Sequence, residues 1–148
     1  MLASIQNLRE ITRLCHAGEP LDQDLSRWLG NSLQDFLDHR CRSIDDALGL
    51  RFPQGGIPWW REEAIRARDA ALRQLVTRYF AALNISARAR EVFRLSVRYA
   101  GSAWRFDRER EMMPHHYAGT GHEYLWRAFQ SGAAMPIGER QLRTILAD

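Results

Sequence analysis

Lysine is absent. All 21 basic residues among the 148 are arginine, so every positive side chain is a planar fork that stays charged and matches phosphate or carboxylate geometry. Genomes rich in G and C encode arginine more readily than lysine, and the composition points to a bacterial source of that kind. Cysteine is scarce: Cys15 and Cys41 alone make no disulfide framework, and both are expected reduced in a cytoplasmic protein. No long apolar run occurs, so no membrane-spanning helix is expected. The opening Met1-Leu2-Ala3-Ser4-Ile5 has no basic stretch ahead of an apolar core, so no secretory signal is expected either. Sustained strand-type alternation is missing.

What is present is the composition of a globular chain. Apolar residues make up 45 % and charged residues 26 %, with five Trp, six Phe and four Tyr to fill a core. The length is that of a single domain, long enough to fold without metals or disulfide staples.

Apolar residues recur at helical spacing almost throughout. They predict an all-α, single-domain bundle of six or seven helices over 1–148. The first helix covers about 4–17 and is stopped by Gly18 and Pro20; the second covers about 22–40, with Asp22 as N-cap and a stripe of Leu25, Trp28, Leu29, Leu33, Phe36 and Leu37. A short helical turn follows Ser43 and ends at Gly49. The stretch 50–58, with Pro53, Gly55, Gly56 and Pro58, reads as a loop. Two long helices, about 59–83 and 87–111, are expected to form a central antiparallel hairpin around the break Asn84-Ile85-Ser86, with Ser86 as cap. Thr120 and Glu123 form a capping box for a helix of about 121–131, and a last helix covers about 139–147.

Charge is uneven along this framework. Residues 1–49 carry five Arg against eight acids, a formal −3, whereas residues 61–110 carry twelve Arg against six acids, a formal +6. An acidic first third, a loop at 50–58 and a basic body over 59–148 call for self-complementary packing or an acidic partner. On an uninterrupted fifth helix, Arg90, Arg94, Arg98, Arg105 and Arg108 fall within about 80° of one edge, spread over about 27 Å. Such a row suits successive phosphates.

Asp107 falls on the apolar side of the same helix, where a lone carboxylate is costly. The hairpin brings it opposite Arg61, with Arg68 as second candidate, and a structural salt bridge is expected there. The segment 123–146 resembles a helix-turn-helix, with Ala128 and Gly132 as its two small residues. That resemblance implies that Arg140 and Arg143 on the last helix reach bases and phosphates. The turn, Ser131 to Gly138, is longer than the motif's usual three or four residues.

Pro58-Trp59-Trp60 places two adjacent indoles at a helix start, where both cannot face one core. One packs and the other is available to a partner or an unpaired base. His115, His116 and His122 lie close in sequence beside Glu123, but their spacing fits no familiar metal site. Cys15 and His16 are neighbours about 100° apart on a helix and make no nucleophile–base pair. Gly119-Thr120-Gly121 lacks the other glycines and the Lys of a phosphate-binding loop. The sequence therefore leads to a non-enzymatic chain without metal or cofactor. Its expected role is a small nucleic-acid-binding, DNA-type regulatory or accessory protein that uses Arg90, Arg94, Arg98, Arg105, Arg108, Arg140 and Arg143. The alternative is a protein-interaction or homodimerising module that uses Trp59 and Trp60.

Overall fold

The computed structural model describes residues 2–52 and 54–147. Every regular element among them is helical. In chain order these are α1 (Leu2–Ala17), α2 (Gln23–Leu37), α3 (Ile44–Ala47), α4 (Trp59–Tyr79), α5 (Ile85–Gly101), α6 (Trp104–Asp107), a 3₁₀ turn at His115–Tyr117, α7 (Gly121–Gln130) and α8 (Glu139–Ala147). No described helix is long and apolar enough to cross a membrane. The chain forms two compact units, Met1–Trp59 and Trp60–Asp148.

In the first unit, α1 ends where Gly18 takes a φ of 68°. Its N–H reaches Cys15 O at 3.2 Å and the next N–H reaches Leu14 O at 2.9 Å, closing the helix as a left-handed residue does. Asp22 then caps α2, its side chain accepting from Leu25 N at 2.8 Å. Ile11, Leu14 and Leu25 form the core, with Leu21, Trp28 and Leu29 packed on it. The stripe expected on α2 stops there. Leu33, Phe36 and Leu37 are exposed, and Ser32 is buried in their stead with its hydroxyl donating to Trp28 O at 2.9 Å. The acids of α2 serve local arginines: Asp24 meets Arg27 at 3.8 Å, and Arg40 meets both Asp35 at 3.4 Å and Asp38 at 3.2 Å. Trp59 lines a recess of about 290 Å³ with Ile5, Leu8 and Leu50.

The second unit holds the larger core. Leu72 and Leu75 of α4, Val92 and Tyr99 of α5, Leu125 of α7 and Leu142 of α8 are its largest fully buried side chains, and burial of each aliphatic one contributes roughly 1.5–3 kcal/mol. α5 packs on α8. Arginine side chains tie the backbone together. Arg68 is buried, bonded to Asp69 and to Ala134 O. Arg73 donates to Ile145 O at 2.9 Å, and Arg88 donates to Phe80 O at 3.2 Å and Ala81 O at 2.7 Å.

Three boundaries differ from the sequence expectation. α4 ends at Tyr79, whose hydroxyl donates to Gly119 O at 2.7 Å. Asn84, not Ser86, caps α5, accepting from Ala87 N at 2.9 Å. α5 stops at Gly101, well short of the limit near 111 that periodicity predicts. Gly is a poor helix residue, and the Ser102 hydroxyl takes the Arg98 carbonyl at 2.6 Å, so side chain competes with backbone for the same acceptor. Ser102 adopts φ −122°, ψ −100°, and α6 starts on a new course. The capping box at α7 is also altered: Glu123 accepts from Gly119 N at 2.8 Å, while the Thr120 hydroxyl turns back to Tyr117 O at 2.7 Å.

Candidate nucleic-acid interface

The basic residues of interest lie in the second unit, where fifteen Arg face ten carboxylates, a formal +5. On α5 the buried face carries Ala89, Val92, Ser96 and Tyr99. Val97 and Ala100 are exposed, so the solvent side of α5 is the side of Arg90, Arg94 and Arg98. These three sit four residues apart over about 12 Å of helix rise, each turned about 40° from the last. All are exposed. Arg94 is paired with Glu91 at 2.7 Å. Arg90 and Arg98 make no ion pair among the described residues.

Because α5 ends at Gly101, the single ridge expected over 90–108 is interrupted. Arg105 lies on α6 and Arg108 just after it, and the 100° count from Arg90 no longer relates them to α5. Both are exposed. Arg108 meets Glu109 at 3.2 Å and Arg105 has no ion pair among the described residues. Exposed pairs such as Arg94–Glu91 and Arg108–Glu109 are worth about 0–1 kcal/mol and are screened by salt, so a phosphate can displace either carboxylate.

What orients α6 is Asp107, 5 % exposed. Its Oδ2 accepts from the Tyr99 hydroxyl at 2.9 Å and the Tyr117 hydroxyl at 2.6 Å, and Arg110 approaches Oδ1 at 3.5 Å. The expected salt bridge to Arg61 is not formed, and Arg68 is committed to Asp69 and Ala134. The break after Gly101 is the reason: it carries Asp107 to the two phenols and away from the continuation of α5. Burial, reinforced by the bonds to Asp107, pushes both phenols up in pKa, Tyr117 to about 12. The Trp104 ring lies 6.0 Å from Tyr99 and 5.3 Å from Phe129. Residues 104 and 107 therefore both face the core.

Behind this cluster Leu95, Arg98, Tyr99, Ser102, His122 and Leu125 line a recess of about 280 Å³. His122 stacks on Tyr117, centroids 5.3 Å apart, and His116 lies 4.6 Å from the same ring. The histidines thus act as aromatic neighbours of Tyr117. Among the described residues no three His, Cys, Asp or Glu side chains come together as a metal-ligand set.

Arg140 and Arg143 are exposed on α8, and neither makes an ion pair among the described residues. Arg140 borders a shallow recess with Gln141 and Thr144. Trp60, 55 % exposed, borders a groove of about 940 Å³ with Arg61, Ile65, Met135, Ile137 and Gln141. The sequence missed the Tyr99–Asp107–Tyr117 cluster and the exposure of Phe106. The signal for the first is the cost of a lone carboxylate at Asp107, which a phenol relieves as well as a guanidinium does. No protein-family model, curated protein or solved structure matches the chain.

Proposed function

We propose that the protein binds nucleic acid through phosphate contacts from the second unit and serves as a regulatory or accessory factor. The observation that carries the reading is that Arg90, Arg98, Arg105, Arg140 and Arg143 are exposed with no carboxylate bound to them among the described residues. Arg94 and Arg108 add two forks held only by weak surface pairs. Bidentate guanidinium–phosphate contacts are charge-assisted and release counterions from the polyanion. In this reading α4 and α5 form an antiparallel pair, their turn closed by Arg88 on the carbonyls of Phe80 and Ala81. α7 and α8 act as a helix-turn-helix-like pair presenting Arg140 and Arg143. The protein carries no chemical step of its own, and two free thiols with an Arg-only basic set favour a bacterial cytoplasm as its setting.

The test is fluorescence anisotropy of a labelled oligonucleotide across a salt series. Affinity should fall linearly with the logarithm of salt. The combined change Arg90→Gln, Arg98→Gln and Arg105→Gln should reduce the slope by about 0.7–0.9 for each phosphate that is no longer neutralised. Absence of binding at low salt, or a slope near zero, refutes the reading.

A second reading rests on the groove beside Trp60. An exposed indole and Ile137, 93 % exposed, flank a groove large enough for a partner side chain or helix, as in interaction hot spots. Under this reading the protein is an interaction or homodimerising module, with Trp59 as the packed neighbour. Sedimentation velocity separates the two: dimerisation that is lost on Trp60→Ala, without nucleic-acid binding, favours the second.

A further inference from the structure

Resting on the phosphate-binding reading, we infer that Phe106 is a stacking platform for an unpaired base, so that the preferred ligand is single-stranded nucleic acid. Phe106 is 71 % exposed, the most exposed Phe, Tyr or Trp among the described residues. Its position is built. In the four-residue turn of α6, Trp104 and Asp107 point inward, three residues apart. On a helical turn the residues between such a pair must point out. The backbone N–H groups of Phe106 and Asp107 both bond to Ala103 O, at 3.0 and 2.9 Å, which holds the turn closed. The ring therefore stands in water because Asp107 is tethered by two phenols, and no rotation of α6 can bury it without releasing that carboxylate.

The surroundings of the ring select the occupant. Arg105 precedes it and Arg108 follows two residues on, both exposed. Glu109 is bound to Arg108 at 3.2 Å, and Arg110 leans toward Asp107. An exposed ring one residue from Arg105 and two from Arg108 offers a base its π-surface, and those exposed arginines offer the phosphates of the same strand their counter-charge. In a duplex both faces of each base are already stacked, so the ring gains nothing from paired bases unless it wedges between them. Stacking on one exposed ring tolerates any base, so little sequence preference is expected from this contact.

The experiment uses the whole chain with two labelled probes, an oligothymidylate of about twenty nucleotides and a mixed-sequence duplex of equal length. The wild type should bind the oligothymidylate more tightly than the duplex at matched salt. Phe106→Ala should weaken oligothymidylate binding roughly tenfold or more with an unchanged salt slope, leave duplex binding unaltered, and leave circular dichroism and the melting temperature unchanged. Phe106→Trp should restore single-strand binding. Equal binding of the oligothymidylate by Phe106→Ala and wild type overturns the inference while leaving the phosphate reading standing. A preference for duplex that Phe106→Ala abolishes reassigns the ring as a groove wedge and also overturns it. Binding to anionic lipid vesicles that depends on Phe106, with none to the oligothymidylate, would assign the ring to a membrane surface instead. Failure of the wild type to bind either probe at low salt removes the phosphate reading and this inference together.

Discussion

Burying Asp107 is tolerable because its Oδ2 collects two phenolic protons while Arg110 approaches the other oxygen from the solvent side. Hydrogen bonds to a charged acceptor are the stronger kind, and a buried acceptor stripped of a donor pays most of its desolvation. Tyr117→Phe should cost about 1–3 kcal/mol in urea unfolding. The same cluster gives a pH dependence. Burial raises the Tyr99 and Tyr117 pKa values above their ordinary value near 10. Between about pH 10 and 12 the unfolded chain therefore loses phenolic protons that the native state retains. Stability from these groups is complete below pH 10 and falls as pH rises through 12. A series of urea midpoints from pH 8 to about pH 11.5 should decline at the alkaline end, and less steeply in Tyr117→Phe. Asp107 stands out in the sequence by its place on an apolar face, but its partners are not legible there. The identity of a hydrogen-bond donor depends on where the chain turns, and the turn at Ser102 is hidden inside a continuous helical pattern.

Among the elements, helix ends divide into those written locally and those decided elsewhere. Asp22 and Asn84 each accept a backbone N–H three residues on. Thr120 does not, because its hydroxyl is engaged with Tyr117 O. Asn84→Ala should therefore cost about 1 kcal/mol by thermal or urea unfolding. Thr120→Ala should cost distinctly less, the N-terminus of α7 being served by Glu123 on Gly119 N. Equal losses at the two positions would contradict this assignment. α1, α2, α7 and α8 lie within a few residues of their sequence-based limits, since Gly18, Asp22, Gly132 and Gly138 mark them locally. α4 and α5 are shorter than their apolar patterns, because periodicity alone does not register a Gly-Ser pair as a stop when apolar residues continue beyond it.

Across the whole molecule, the two compact units differ in how much core they own. The first has Ile11, Leu14 and Leu25 at its centre, and the second has a cluster drawn from five elements. Amides in α4, α5, α7 and α8 near Leu72, Val92, Leu125 and Leu142 should be the slowest to exchange with deuterium, and those of α1 and α2 faster, as read by exchange mass spectrometry. The charge division has the same layout, with eight acids and six Arg up to Trp59 and the basic excess after it. Asp24, Asp35 and Asp38 are engaged by Arg27 and Arg40 of their own unit.

From the sequence by itself came the all-helical class, the Asp22 cap and the glycine stop at Gly18, the basic character of the second half and the arginines that carry it. These follow from periodicity, local side-chain-to-backbone bonds and counting, none of which needs a long-range contact. The tertiary structure alone decided that α5 breaks after Gly101, that two tyrosines hold Asp107, and that Phe106 stands in water. Those outcomes depend on where the chain turns and what it then packs against, because the burial of Trp104 and Asp107 sets the direction of everything attached to them.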